Sequence, residues 1–328
     1  MSDDFYTILK MPAGGVKLGA LRGDISAPNA WKNVGIVSKL YIYPLKSAAF
    51  IPVQEMEAGI TAGFSGFMTD RQFMVTDMTG KMITSRRYPN MVLIKPEVTE
   101  KEIRLQYSGK SEICVPIQTG GEELTCNVWG DSCNGRDLGE AAGRWLSEVI
   151  LEQPQGLRLV FHPSGLSSRP DKEENSYLAP LKKAGDKPYF ADGFPYLLLS
   201  KPSVDQLNIN LENSGADLQV EETRFRPNIF VEGDFPPYAE DQWSYIRIGE
   251  NVVFRNVQPC SRCIFTTVDP GTGQKHHKGQ PLKTLREYRC SEDTVERKEY
   301  GLSPFFGINL GVEHTGTIRL GDSVQIKL

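Results

Sequence analysis

Residues 34–47 read VGIVSKLYIYPLKS, a run of β-branched and aromatic residues that stops at a Pro44 turn. Such residues fit a pleated, half-buried surface, and proline closes the segment because it offers no backbone N–H. The same texture recurs in EIRLQYS (102–108), LRLVFH (157–162), PNIFVEG (227–233), YIRIG (245–249), NVVFRNV (251–257) and TIRLGDSVQIKL (317–328). Residues 70–87, DRQFMVTDMTGKMITSRR, hold two apolar stretches around a glycine-containing loop and predict a hairpin. The chain therefore reads as mostly β with some α.

Helical spacing is clear over 137–151, DLGEAAGRWLSEVIL, where Leu138, Ala141, Ala142, Trp145, Leu146, Val149 and Ile150 recur at three-and-four spacing. Asp137 is the expected N-cap. A second helix is expected after Ser200, through Val204, Leu207 and Leu211. Residues 167–187 are polar and loop-like, a boundary or an active-site excursion. The expected organisation is an unstructured extension over 1–33, a β-rich domain over 34–150, and a mixed, mostly β barrel over 151–328.

The 328 residues are 39% hydrophobic and 24% charged, the balance of a globular protein with a sizeable core. With 37 basic against 41 acidic residues the net charge is −4, so a broad electrostatic footprint for nucleic acid is absent. Six cysteines are too few for a disulfide scaffold and read as thiols. No apolar run approaches the roughly 18 to 20 residues that span a bilayer. The first 25 residues mix acids, bases and glycines and do not form a legible targeting peptide.

The chemistry turns on NVQPCSRCIFTT, Asn256 to Thr267. Cys260, Cys263 and His276 have a C-x2-C-x12-H spacing that begins many zinc sites. A fourth ligand is missing, because the adjacent His276 and His277 would diverge by about 100° on a helix. A thioredoxin-like switch needs its first cysteine at a helix N-terminus, whereas Ile264 to Val268 is a β-favouring run. Two buried apolar thiols in a strand are the commonest outcome for such a pair. Basic and polar groups also gather at strand ends: Lys46 and Ser47, Arg71, Arg86 and Arg87, Arg226 and Asn228. Arg226 precedes Pro227, and its planar fork of donors suits a phosphate or a ring edge. A thiolate near such donors suits an anionic cofactor with a soft metal, of which molybdenum on a pterin dithiolene is one case.

Six elements in order, IYPLKS, DRQFMV, ADGFPYLLLS, RFRPNI, YAEDQW and CSRCIFTTVDP, closely resemble the amidoxime-reducing components. These are members of the family named for the molybdenum cofactor sulfurase C-terminal (MOSC) domain. The resemblance runs from about Val34 to the C-terminus. It implies an N-terminal MOSC-associated β-barrel domain followed by the MOSC barrel.

It also implies that Cys263 is the protein ligand to molybdenum, with Cys260 as a supporting thiol. Lys46, Ser47, Arg71 and Arg226 are expected to hold the pterin and its phosphate, with Asn228, Asp192 and Ser261 as neighbours. Asp192 joins Cys263 in the expected catalytic set. The cofactor is then molybdenum–molybdopterin. Gly193 and Phe194 depart from the small hydroxyl residues common in animal relatives.

The activity implied is reduction of amidoximes, hydroxylamines and N-oxides with electrons from NADH through cytochrome b5 reductase and cytochrome b5. No nucleotide-binding glycine fingerprint is visible, so electrons are expected from a partner. Arg86, Arg87 and Arg262 are the expected basic face for it. The runner-up is a molybdenum cofactor or sulfur carrier that turns over no N-hydroxylated substrate; a zinc-stabilised interaction barrel is a third class. Animal members carry an N-terminal mitochondrial anchor, and residues 1–30 contain no apolar span. The resemblance thus implies the mitochondrial outer membrane, and the residues themselves a soluble chain.

Overall fold

The computed structural model describes residues 31–117, 122–163, 169–170 and 179–327. Seven strands form its central barrel: β1 (Trp31–Ile42), β2 (Tyr196–Ser200), β3 (Ile229–Glu232), β4 (Tyr245–Ile248), β5 (Val252–Ser261), β6 (Phe305–His314) and β7 (Ser323–Lys327). Their order is β3-β2-β6-β5-β4-β7-β1, and β1 also pairs with β3, which closes the ring. Closure leaves no open edge within the ring. Every neighbouring pair is antiparallel except β2 and β3. A parallel pair needs a long crossover, and helix α1 (Lys201–Asn213) provides part of it. Ser200 caps this helix by accepting from the Ser203 amide, and Val204, Leu207 and Leu211 are buried, as the sequence predicts.

Alternate residues of the barrel strands meet inside it. Val37, Ile42, Leu198, Ile229, Ile246, Phe254, Ile308 and Leu310 belong to one buried cluster. β1 pairs the first described residues with the last strand. Trp31, Lys32 and Asn33, read in the sequence as the end of an unstructured extension, pair with Lys327, Ile326 and Gln325. The reason is local: β7 offers a free ladder there, and the Arg247 guanidinium lies 4.8 Å from the Trp31 ring centre. Residues 1–30 of that extension lie outside the described residues.

Beside the barrel, strands Phe73–Asp77, Glu123–Val128, Asp131–Asp137 and Leu157–Phe161 form a four-stranded sheet, and Lys95–Val98, Glu102–Gln106 and Ile113–Pro116 a three-stranded one. The helix expected over 137–151 runs from Glu140 to Ile150. Its buried face is Ala142, Gly143, Leu146, Val149 and Ile150, while Ala141 is exposed. Asp137 is not the N-cap. It ends a strand, accepts from the Gly139 amide at 2.9 Å and pairs with Arg158, leaving Gly139 at the cap. Gly143 lets the helix lie close on the sheet, because a Cβ there would sit 2.4 Å from the Leu157 carbonyl oxygen. The expected hairpin around residues 78–81 forms, with Asp77 accepting from the Thr79 and Lys81 amides, but its second arm makes only the Thr76–Met82 bridge to the strand.

Candidate functional site

A cavity of about 360 Å³ opens where the barrel meets the smaller sheets. It is lined by the eight residues expected from the sequence to hold the cofactor and its metal: Lys46, Ser47, Arg71, Asp192, Arg226, Asn228, Ser261 and Cys263. The fold brings them there from separate segments. Lys46 and Ser47 follow β1, Arg71 precedes the strand Phe73–Asp77, Asp192 precedes β2, Arg226 and Asn228 precede β3, Ser261 ends β5 and Cys263 follows it.

Backbone conformation marks the same place. Six described non-glycine residues have positive φ, and four of them line this cavity: Ser47 (69°), Arg71 (46°), Trp129 (54°) and Arg226 (59°). The left-handed region costs an L-residue about 1 to 2 kcal/mol, and such residues cluster at ligand clamps, where the surroundings impose the geometry. At Trp129 the imposing element is a two-residue hairpin turn between Val128 and Asp131, with Gly130 also at positive φ.

The lining is strongly cationic, with Lys46, Arg71, Arg86, Arg224, Arg226 and Arg262 against Asp192. Arg71 and Arg226 hold their guanidinium carbons 4.2 and 4.1 Å from the centre of one ring, that of Tyr43. Arg71 donates to Asp70 at 2.5 Å and to the Arg226 carbonyl at 3.3 Å. Arg226 donates through Nη1 to the Ala48 carbonyl at 2.7 Å. Its buried Nη2 has no hydrogen-bond partner among the described residues. Burial and the charge of Arg71 push the Arg226 pKa down to about 10, so it stays charged at neutral pH. A buried charged donor without an acceptor costs about 1 to 3 kcal/mol or more, which an anion in the cavity would offset.

Lys46 is buried and donates to the Phe190 carbonyl at 2.7 Å and to Asp192. Burial lowers its pKa, with Asp192 opposing. Asp192 opens onto the cavity, where partial desolvation acts to raise its pKa, but Lys46, the Trp129 indole at 2.8 Å and the charge of Arg86 hold the carboxyl well below its usual range. It is therefore an ionised acceptor at the cavity wall.

Cys260 and Cys263 both line the cavity, half-buried and not in a disulfide. Burial pushes the Cys260 thiol up. The expected β-run after Cys263 is instead a 3-10 turn, Ile264–Thr267. Local side-chain bonds override propensity there: the Thr266 and Thr267 hydroxyls donate to the Cys263 and Ile264 carbonyls at 3.0 and 2.7 Å. Among the described residues no cluster of three His, Cys, Asp or Glu could hold a metal, and His276 and His277 stack on each other, so the zinc reading lacks its ligands.

The MOSC N-terminal beta barrel domain matches residues 34–153 and the MOSC domain residues 186–325. Over 298 residues the chain is 39% identical to mitochondrial amidoxime-reducing component 1 of Homo sapiens, spanning 90% of this chain and 84% of that protein. The chain belongs to the amidoxime-reducing component family of MOSC-domain proteins. Component 2 of Homo sapiens is 33% identical over 311 residues, 92% of this chain and 88% of that one. Component 1 of Xenopus laevis is 36% identical over 296 residues, 89% and 82% of the two chains.

Residues in and around the cavity also include some with no signal in the sequence. Trp129 hydrogen-bonds Asp192 and lies 4.0 Å from the Arg86 guanidinium carbon, yet nothing marks a tryptophan 63 residues away as its partner. Arg169, buried in the polar loop segment, donates to Asp131 and to the Ala191 and Asp192 carbonyls, tying the Trp129 hairpin to the Asp192 segment. Arg262 corrects an expectation. It is buried and donates to the Phe306 and Phe225 carbonyls, so it is no part of a basic outer face. The Asn228 amide is engaged by Tyr41, Leu197 and Arg71, which makes it a brace between strands. Gly193 faces open space, and Phe194 is buried with Ala179 and Val257.

Proposed function

We propose that this protein binds a molybdenum–molybdopterin cofactor in the cavity and reduces N-hydroxylated compounds: amidoximes, hydroxylamines and N-oxides. The observation that supports it most is the buried, unpartnered Nη2 of Arg226 in a cation-lined cavity that also holds Cys263. The donor set fits the group. Arg226 and Arg71 offer a phosphate paired, charged donors, and Cys263 offers the thiolate a soft metal takes.

When bound, the cofactor supplies the redox change and the oxygen acceptor that N–O cleavage requires. The chain's own residues do the rest. Asp192, ionised and with 64% of its side chain exposed, accepts a hydrogen bond from a substrate N–H and orients it. Lys46, Trp129 and Arg169 hold that carboxylate and its backbone in place. Tyr43 sets the spacing of the two guanidinium groups. Electrons come from NADH through cytochrome b5 reductase and cytochrome b5. A mitochondrial setting rests on the names of the relatives; no described helix is long and apolar enough to cross a membrane.

The test is turnover of benzamidoxime by cofactor-loaded protein with NADH, cytochrome b5 and its reductase. Benzamidine formation that needs both partners is the expected result. Cofactor content without turnover would identify a carrier instead.

A further inference from the structure

The chain is net acidic, yet the surface that adjoins the cavity rim at Arg86 is not. The turn following Cys263 carries Lys275, His276, His277 and Lys278, and the segment at its side carries Arg86 and Arg87. Two features fasten these sequence-distant groups together. Lys275 donates to the Arg86 carbonyl at 2.6 Å, and a Cβ at Gly273, whose φ is +67°, would lie 3.2 Å from the Leu93 side chain. Lys275, His277, Lys278 and Arg87 are exposed. The nearest acid on the turn, Asp269, is engaged by Arg224 and by the Gly271 and Thr272 amides.

Like charges held side by side repel, and on a net acidic chain nothing in the stability of the fold calls for them. Burial, and then the charges of His277, Arg224 and Lys278, push the His276 pKa down, which registers the same positive field. The turn is also joined directly to the site. Residues 264–267 directly follow Cys263, Val268 bridges to Lys275, and the Thr267 carbonyl accepts from the His276 amide. Arg86 itself lines the cavity and stacks on Trp129.

We infer that the rim formed by Arg87, Lys275, His277 and Lys278 is the docking face for a single-electron carrier protein with an acidic surface, an inference that rests on the reductase reading. Such a carrier reaches the site by charge steering and forms a small, transient contact, where a few surface charges raise the association rate by about 10 to 1,000-fold. Each encounter passes one electron from the reduced carrier. Two electrons and two protons convert one N–OH group to N–H and release one water.

The test uses the full chain and the soluble haem domain of cytochrome b5 as the acidic probe. Stopped-flow oxidation of the reduced probe is measured at about 10 and 150 mM salt, where the Debye length is roughly 30 and 8 Å. The parent rate should fall with salt. Lys275→Glu with Lys278→Glu should slow the low-salt rate about tenfold or more and flatten the salt dependence, as should Arg87→Glu alone. Lys32→Glu, at the far end of β1, should change neither. Titration calorimetry with oxidised probe should rank the variants in the same order. Rim and Lys32 variants that behave alike in both assays would overturn the docking face. Benzamidoxime turnover driven by a reduced viologen separates this from the reductase reading. It should survive in the rim variants, and its absence in the parent would strike the reductase reading, while calorimetry still decides the docking face.

Discussion

Arg71 donates to the backbone carbonyl of Arg226 at 3.3 Å, and the two side chains share the ring of Tyr43. Two guanidinium groups this close repel unless something negative sits with them. Asp70 engages Arg71, and nothing described engages Nη2 of Arg226. On the proposed reading the pair is half of a receptor whose other half is an anion.

Arg226→Lys is therefore not conservative. Lysine keeps the charge but loses the fork, at a cost of about 1.5 to 3 kcal/mol for a charged hydrogen bond, or roughly tenfold or more in cofactor affinity. Pterin content after purification should fall sharply with the fold intact by circular dichroism. Full occupancy would reduce Arg226 to a structural cation.

A second expectation concerns pH. Asp192 is held below the usual carboxylate range by Lys46 first and by the Trp129 hydrogen bond after it, both acting against burial. A depressed pKa keeps the ionised form as pH falls, so the acid limb of kcat/KM due to Asp192 should lie below that of an ordinary aspartate. Trp129→Phe removes one hydrogen bond and should move the limb up. Lys46→Met removes the largest favourable influence and should move it further. Identical profiles in all three proteins would remove Asp192 from substrate contact.

Gly143 gives a test of the smaller core. Alanine is better than glycine in a helix by about 1 kcal/mol, but here its Cβ would strike the Leu157 carbonyl, a backbone atom that cannot swing aside. Gly143→Ala should destabilise by about 1 to 3 kcal/mol, read as a lower Tm. A raised Tm would show that the helix can lift off its sheet at little cost.

The strand text and the helix after Ser200 were legible because period and cap lie in adjacent residues. The joining of β1 to both β3 and β7 was not, because ladder partners separated by most of the chain leave no local trace. Candidate site residues were legible where they sit in compact elements such as IYPLKS and RFRPNI. Trp129 and Arg169 were not, since their parts depend on a hairpin and a loop meeting Asp192 in space. Arg262 misled for the same reason: two backbone carbonyls from distant segments bury a charge that looks exposed in a polar stretch.

On the proposed reading Cys263 alone ligates the metal in this cavity. Molybdenum and pterin content, with benzamidoxime turnover, should be measured side by side in the parent, Cys260→Ala and Cys263→Ala. Stoichiometric metal and turnover are expected in the parent, measurable activity in Cys260→Ala, and no turnover in Cys263→Ala. Equal losses in the two variants, or an active Cys263→Ala, would contradict it.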